Sequence, residues 1–223
     1  MNRIAKSLIA TLTAGALALT GVAGANAHVS VLPTISSAGN LTDSLTVGKN
    51  NTISFRIGHG IGLEKDIVHP VTKKVVAAAG KTFVSTKQFS VNVPKVALGE
   101  AGTSYPRPAF VPGWKTKSVK NSDGTVTVTW TAISDDFALP NGPEGDTAAT
   151  TYFDFGLRVY FATAAKGQKV TFPAVQTGVV VIPKAKNFRE QRVRVYETWD
   201  GSTTDTLLDN NSRSTAPSVT VLP

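Results

Sequence analysis

Histidine is scarce in this chain, three residues in 223, and His28 follows directly on Ala25-Asn26-Ala27. Upstream lie Arg3 and Lys6 and then an apolar run over residues 8–22. A charged stub, an apolar stretch of this length and an Ala-x-Ala end make up a secretory signal peptide, and the stretch is too short for a transmembrane helix. Residues 1–27 are therefore expected to be removed, which makes His28 the first residue of the exported chain. A terminal His carries two nitrogens on one residue, the α-amine and the imidazole Nδ1, and together they close a chelate ring on a metal. The amine has an ordinary pKa of about 7.7–8.0, so a strongly bound cation displaces its proton near neutrality. Nitrogen donors in a flattened arrangement favour Cu(II), which tops the affinity order of the divalent first-row metals. The competing reading is plain processing, a His left at the cut with nothing to hold.

Other residues could add donors, and each has a blander role open to it. His59 stands between Gly58 and Gly60, whose backbone freedom would let it turn either to a metal or to water. His69 precedes Pro70 and has no partner legible in the sequence. Glu197 and Trp199 alternate on one side of a strand-like stretch. Glu197 offers a carboxylate to a metal or to a neighbouring Arg at the rim. Trp199 is a ring beside the metal or an ordinary core residue. Trp130 continues the stripe of Val126 and Val128 and reads as core, while Trp114 anchors the Pro112-Gly113 turn. Asp135 and Asp136, adjacent on a strand, would face opposite ways and share no proton. The sequence has no Gly-x-Ser-x-Gly elbow and no phosphate-cradling Gly loop at a strand–helix junction. A non-enzyme is the expectation.

These residues need strands to position them, and strands are what the pattern supplies. Ile53, Phe55 and Ile57 alternate with polar neighbours, as do Phe89, Val91 and Val93, and Val126, Val128 and Trp130. Phe153, Phe155, Leu157, Val159 and Phe161 form the longest stripe. Val193, Val195, Glu197 and Trp199 share a face, with Arg192, Arg194, Tyr196 and Thr198 opposite. Pro and Gly punctuate the stretches at Pro112-Gly113, Asp123-Gly124, Asn141-Gly142-Pro143 and Lys166-Gly167, and Asp123-Gly124 reads as a two-residue hairpin turn. Apart from a short turn near residues 73–79, no capped helical stripe follows residue 28. The fold class expected is all-β, an antiparallel β-sandwich of immunoglobulin-like type in one domain over 28–223. Its tail from about residue 201 is rich in loop-forming residues, with 218–222 an edge strand or a frayed end.

Composition removes several other chemistries. There is no Cys, hence no disulfide framework, thiolate site or Cys nucleophile. No stretch beyond residue 22 is long and apolar enough to span a bilayer. Removing residues 1–27 takes away Arg3 and Lys6 and no acid, so 21 Lys and Arg stand against 15 Asp and Glu, a net +6. The basic residues are scattered, which suits residence near an anionic wall or lipid surface better than a nucleic-acid site.

The opening His28-Val29-Ser30-Val31-Leu32-Pro33 resembles the His-Val-Thr-Val-x-Pro start of the YcnI-like copper-binding domains, a family of exported bacterial proteins. Further segments match in order: Phe55-Arg56-Ile57-Gly58-His59-Gly60, Phe89-Ser90-Val91-Asn92-Val93-Pro94, Pro112-Gly113-Trp114-Lys115, Val128-Thr129-Trp130-Thr131, Phe153-Asp154-Phe155 and Phe172-Pro173-Ala174-Val175-Gln176. Glu197-Thr198-Trp199 stands where that family has its closing Trp. The chain departs from the pattern in an insertion of about 25 residues between Gly60 and Gln88 and in a longer segment between Gln176 and Trp199. It also lacks an acid over residues 33–40. The resemblance implies a β-sandwich that holds Cu(II) through a single-histidine brace at His28, with Trp199 beside the metal.

The function expected is thus an exported copper-binding protein, periplasmic, extracellular or attached to the cell envelope, acting as a copper chaperone or store. Its metal residues are His28 and Trp199, with Glu197 and His59 as further ligands. Its expected partners are the copper ion and a membrane copper transport protein, with no nucleic acid. The alternatives are a metal-free cell-envelope interaction domain and, behind it, a copper-dependent oxidative enzyme, which would need a second His.

Overall fold

The alternation in the sequence becomes one buried face per strand. The computed structural model describes residues 30–33, 45–58, 60–139, 152–200, 211–214 and 216–222, and its elements are almost wholly β. In the first half lie β1 (Ser30–Pro33), β2 (Asn50–Ile57), β3 (Ile61–Gly62), β4 (Ile67–Val68), β5 (Val75–Ala77), β6 (Phe83–Val84), β7 (Thr86–Val93) and β8 (Arg107–Pro108). The second half has β9 (Trp114–Lys120), β10 (Val126–Ala132), β11 (Phe153–Tyr160), β12 (Lys169–Thr171), β13 (Ala174–Ile182), β14 (Gln191–Trp199), β15 (Asn211–Ser214) and β16 (Ser218–Thr220). Two main sheets result, one ordered β1-β2-β11-β8 and the other β15-β14-β13-β7-β10-β9. Pairing within them is antiparallel except for β14 with β15. The expected all-β antiparallel sandwich is what the chain forms.

The inner faces meet through aromatic rings. Phe55 of β2 lies opposite Phe155 of β11, and both reach across to Phe89 of β7, at centroid distances of 6.0 and 5.0 Å. Trp130 stacks on Phe89 and tilts against Phe155. Such offset and tilted pairs add to plain area burial because ring edges are positive and ring faces negative. Trp114 proves to be a core residue as well as a turn anchor: it opens β9 and packs edge-on to Phe155 at 5.0 Å.

The 61–87 insertion builds a second, smaller core. Its two short hairpins, β3–β6 and β4–β5, contribute Ile61, Leu63, Ile67, Ala77 and Val84, which close on Val180, Ile182 and Val195 of β13 and β14. The short turn read near residues 73–79 is in fact part of the β4–β5 hairpin, with Lys73 at φ 59° in its turn. Long-range burial of Ala77 outweighs the local helical tendency of an Ala-rich stretch. Asp135 and Asp136 likewise lie in a 3-10 turn after β10, not on a strand. There Asp135 accepts from Lys87 Nζ at 2.7 Å.

The Asp123-Gly124 hairpin forms, with a longer turn than two residues. Asn121 N donates to Thr125 O, Gly124 N donates to Asn121 O, and Gly124 sits at φ 83°, the arrangement of a three-residue loop with a left-handed last position. The tail ends as a strand: β16 pairs with β12, and Val219 and Val221 are buried. Asn141-Gly142-Pro143 and the 1–27 segment lie outside the described residues.

Candidate metal site

Glu197 lies where the two cores meet. Along the inner face of β14, Val195 belongs to the smaller core and Trp199 to the larger, and Glu197 stands between them, 2% exposed. A strand rises about 3.3–3.4 Å per residue, so Glu197 and Trp199 are roughly 6.7 Å apart on one face. The sequence pattern placed both correctly on that face. Glu197 is not an exposed rim residue, since almost none of its surface meets solvent.

The neighbouring strands continue a polar band across the seam. Glu197 is paired in register with Gln176 of β13, and Gln176 Nε2 donates to Thr86 Oγ1 at the start of β7. Gln176 and Thr86 are fully buried. Burial of polar groups on three adjacent strands is costly unless they are hydrogen-bonded or hold a ligand. Gln176 was a signal available in the sequence, since it breaks the small and apolar run of inner positions Ala174, Gly178, Val180 and Ile182.

A register shift sits beside this band. Thr177 pairs with Gln88, but the next residue, Gly178, pairs with Thr86, so β7 carries one extra residue. A bulge bends the strand that carries it and sharpens the local twist, here in β7 just after the insertion. Gly178 is packed closely there: a Cβ on it would lie 2.7 Å from Val84 Cγ1 and 2.9 Å from the Ser85 carbonyl oxygen.

In the other sheet the start of β1 and the end of β2 lie side by side. Ser30 at the start of β1 stands opposite Arg56, so the chain enters β1 at the end of the sheet where it leaves β2. Ile57, last in β2, belongs to the larger core, while Ile61 of β3 belongs to the smaller one and packs with β13 and β14. Gly58 and the buried Gly60 thus lie where the chain crosses from one core to the other, the boundary that Glu197 marks on β14. His28 and His59 themselves lie outside the described residues. Among the described residues, no group of three or more His, Cys, Asp or Glu could hold a metal.

His69 stands apart from this seam and is not a solitary loop residue. It is 3% exposed, its Nε2 meets Pro183 O at 3.0 Å, and its Nδ1 accepts the backbone N–H groups of Val71 and Thr72 at 3.1 and 3.2 Å. Its ring also packs on Phe188 at 4.7 Å. It ties the β4–β5 turn to the β13–β14 turn and takes no part in the seam.

Neither models of protein families nor curated proteins match this chain. Among solved structures it is similar to an uncharacterised protein from Nocardia farcinica described as having an immunoglobulin-like fold. That match has 17% identity and a TM-score of 0.46, and covers 88% of this chain and 99% of the other. A DUF4466 family protein from Parabacteroides merdae matches with 10% identity and a TM-score of 0.22, over 75% of this chain and 43% of its own.

Proposed function

We propose that the chain is an exported copper-binding protein of the YcnI-like kind, which captures Cu(II) as cargo at His28 and acts as a chaperone or store. The donor set is the α-amine and Nδ1 of His28, with the Glu197 carboxylate as the oxygen ligand and Trp199 as the ring beside the metal. His59 supplies a further imidazole. The observation that carries this reading is the burial of Glu197 at the boundary between the cores. A carboxylate there is an oxygen donor held inside the fold, and Gly60, next to His59 in sequence, lies where the chain passes from the larger core to the smaller. It also answers the missing acid over 33–40, since the oxygen ligand comes from β14 instead. Handover to a membrane copper transport protein is the role that matches capture of copper as cargo.

Copper titration tests it. The chain beginning at His28 should bind one Cu(II) tightly. The same chain with one extra residue before His28 should bind far more weakly, because the α-amine has become an amide. Glu197→Gln should weaken binding while leaving one copper per chain. Equal binding by the native and extended forms would remove the brace, and absence of binding by both would favour the metal-free envelope domain. Since both cores close without a metal, chelation should leave the β-type circular dichroism intact.

A further inference from the structure

The two turns that His69 ties together are both basic. The β4–β5 turn carries Lys73 and Lys74, and the β13–β14 turn carries Lys184, Lys186 and Arg189, followed by Arg192 at the start of β14; all six are exposed. The link is short: buried His69 meets the carbonyl of Pro183, the residue before Lys184, through Nε2, while His69 N donates to Lys74 O at 2.9 Å. Lys184, Lys186, Arg189 and Arg192 stand close together in the chain, but the turn bearing Lys73 and Lys74 is more than a hundred residues before them. Folding gathers them at one pole. Acids near them include Glu190, 4.0 Å from Arg192, and Asp135, whose carboxyl is held below its ordinary range by the hydrogen bond from Lys87 and, less strongly, by the charge of Arg192, while exposed Glu64 and Asp66 precede β4 at the base of its hairpin, away from the turn.

Apolar side chains are exposed among the cations. Val68, Val71 and Val75 of the β4–β5 hairpin are 43%, 50% and 51% exposed, and Val181, register partner of Arg192, is 41% exposed. A site for a soluble polyanion has no use for them. An anionic bilayer uses both kinds of group, since cations gain from its surface potential and small apolar side chains at a turn enter the headgroup layer.

We propose that this pole, where the β4–β5 and β13–β14 turns meet, docks the protein on an anionic lipid surface. The site does not depend on copper. It would hold an exported protein against the membrane face, with its β-sandwich projecting away.

The test is co-sedimentation of the metal-free chain beginning at His28 with vesicles. Every described element lies after residue 29, so this form keeps the whole described fold. Binding is expected to phosphatidylcholine vesicles containing one part in three of phosphatidylglycerol, and not to phosphatidylcholine alone, and to weaken with salt over the screening range. Each surface cation contributes roughly fivefold in affinity, so Lys184→Gln with Lys186→Gln and Arg189→Gln should cost about a hundredfold. The same charge change on the edge strand β9, Lys115→Gln with Lys117→Gln and Lys120→Gln, should cost less than about threefold. Val71→Ser with Val75→Ser should weaken vesicle binding and leave binding to inorganic polyphosphate unchanged. Equal losses from the two cation triples would overturn the proposal, because net charge alone would then explain attachment. So would polyphosphate binding as tight as vesicle binding with the valine pair silent in both. Thermal unfolding of each variant shows that it is folded when tested.

Discussion

Gly178→Ala probes the bulge that separates the two cores. The added methyl would lie 2.7 Å from Val84 Cγ1, 2.9 Å from Ser85 O and 3.2 Å from Ile61 Cδ1. Turning the Val84 side chain relieves the first contact only. The Ser85 oxygen is backbone between β6 and β7, so the chain itself has to move. Overpacking of this kind costs about 1–3 kcal/mol, and the backbone contact argues for about 2–3. In a domain of this size 1 kcal/mol lowers Tm by roughly 2–4 °C, so a fall of about 4–12 °C is expected in thermal unfolding followed by circular dichroism. Gly62→Ala is the control, because its nearest neighbour, Phe83 Cε1, would be 3.6 Å away, an ordinary contact. It should be neutral or stabilise by up to about 1 kcal/mol. The strain in Gly178→Ala also presses on Ile61, two residues after His59, which couples the stability of the seam to the candidate site. Equal Tm values for the two variants would mean that the insertion does not pack on β13 as described.

Two further outcomes can be measured directly. Trp199→Phe should remove most of the copper-dependent quenching of indole fluorescence while one copper still binds, whereas Trp130→Phe, set in the Phe89–Phe155 stack, should leave the quenching in place; the reverse pattern would move the metal away from β14. Glu100 accepts the hydroxyl and the N–H of Thr163 at 2.7 and 2.8 Å, which hold its carboxyl below the usual range. A lowered folded pKa stabilises above the ordinary carboxylate value of about 4.3 and loses that stabilisation as pH falls through the folded value. Glu100→Gln should therefore be less stable than the native chain at pH 7, with the gap closing below about pH 4 in denaturant titrations; a gap that persists in acid would mean the hydrogen bonds do not depend on the charge.

Much of the sandwich was legible because its signal is local. A strand that buries one face must alternate, so Phe55, Phe89, Trp130 and Phe155 announce their side of the sheet without reference to any partner. The same logic placed Glu197 and Trp199 on one face. It also located the Asp123-Gly124 hairpin, because a left-handed turn position calls for Gly within a few residues.

Tertiary structure decided what depends on distant segments. His69 finds its acceptor 114 residues away at Pro183, and no spacing in the sequence encodes that meeting. Glu197 was marked as inward, but whether inward meant a rim or a sealed seam depended on the insertion folding back over β13 and β14. The basic pole has the same origin, since Lys73 and Lys184 become neighbours only when two hairpins dock. The alternating pattern is a property of one strand, whereas docking is chosen by the sum of many weak contacts between segments joined by long loops. Loop closure costs little more for a long loop than for a short one, so chain separation gives almost no guide to which segments meet.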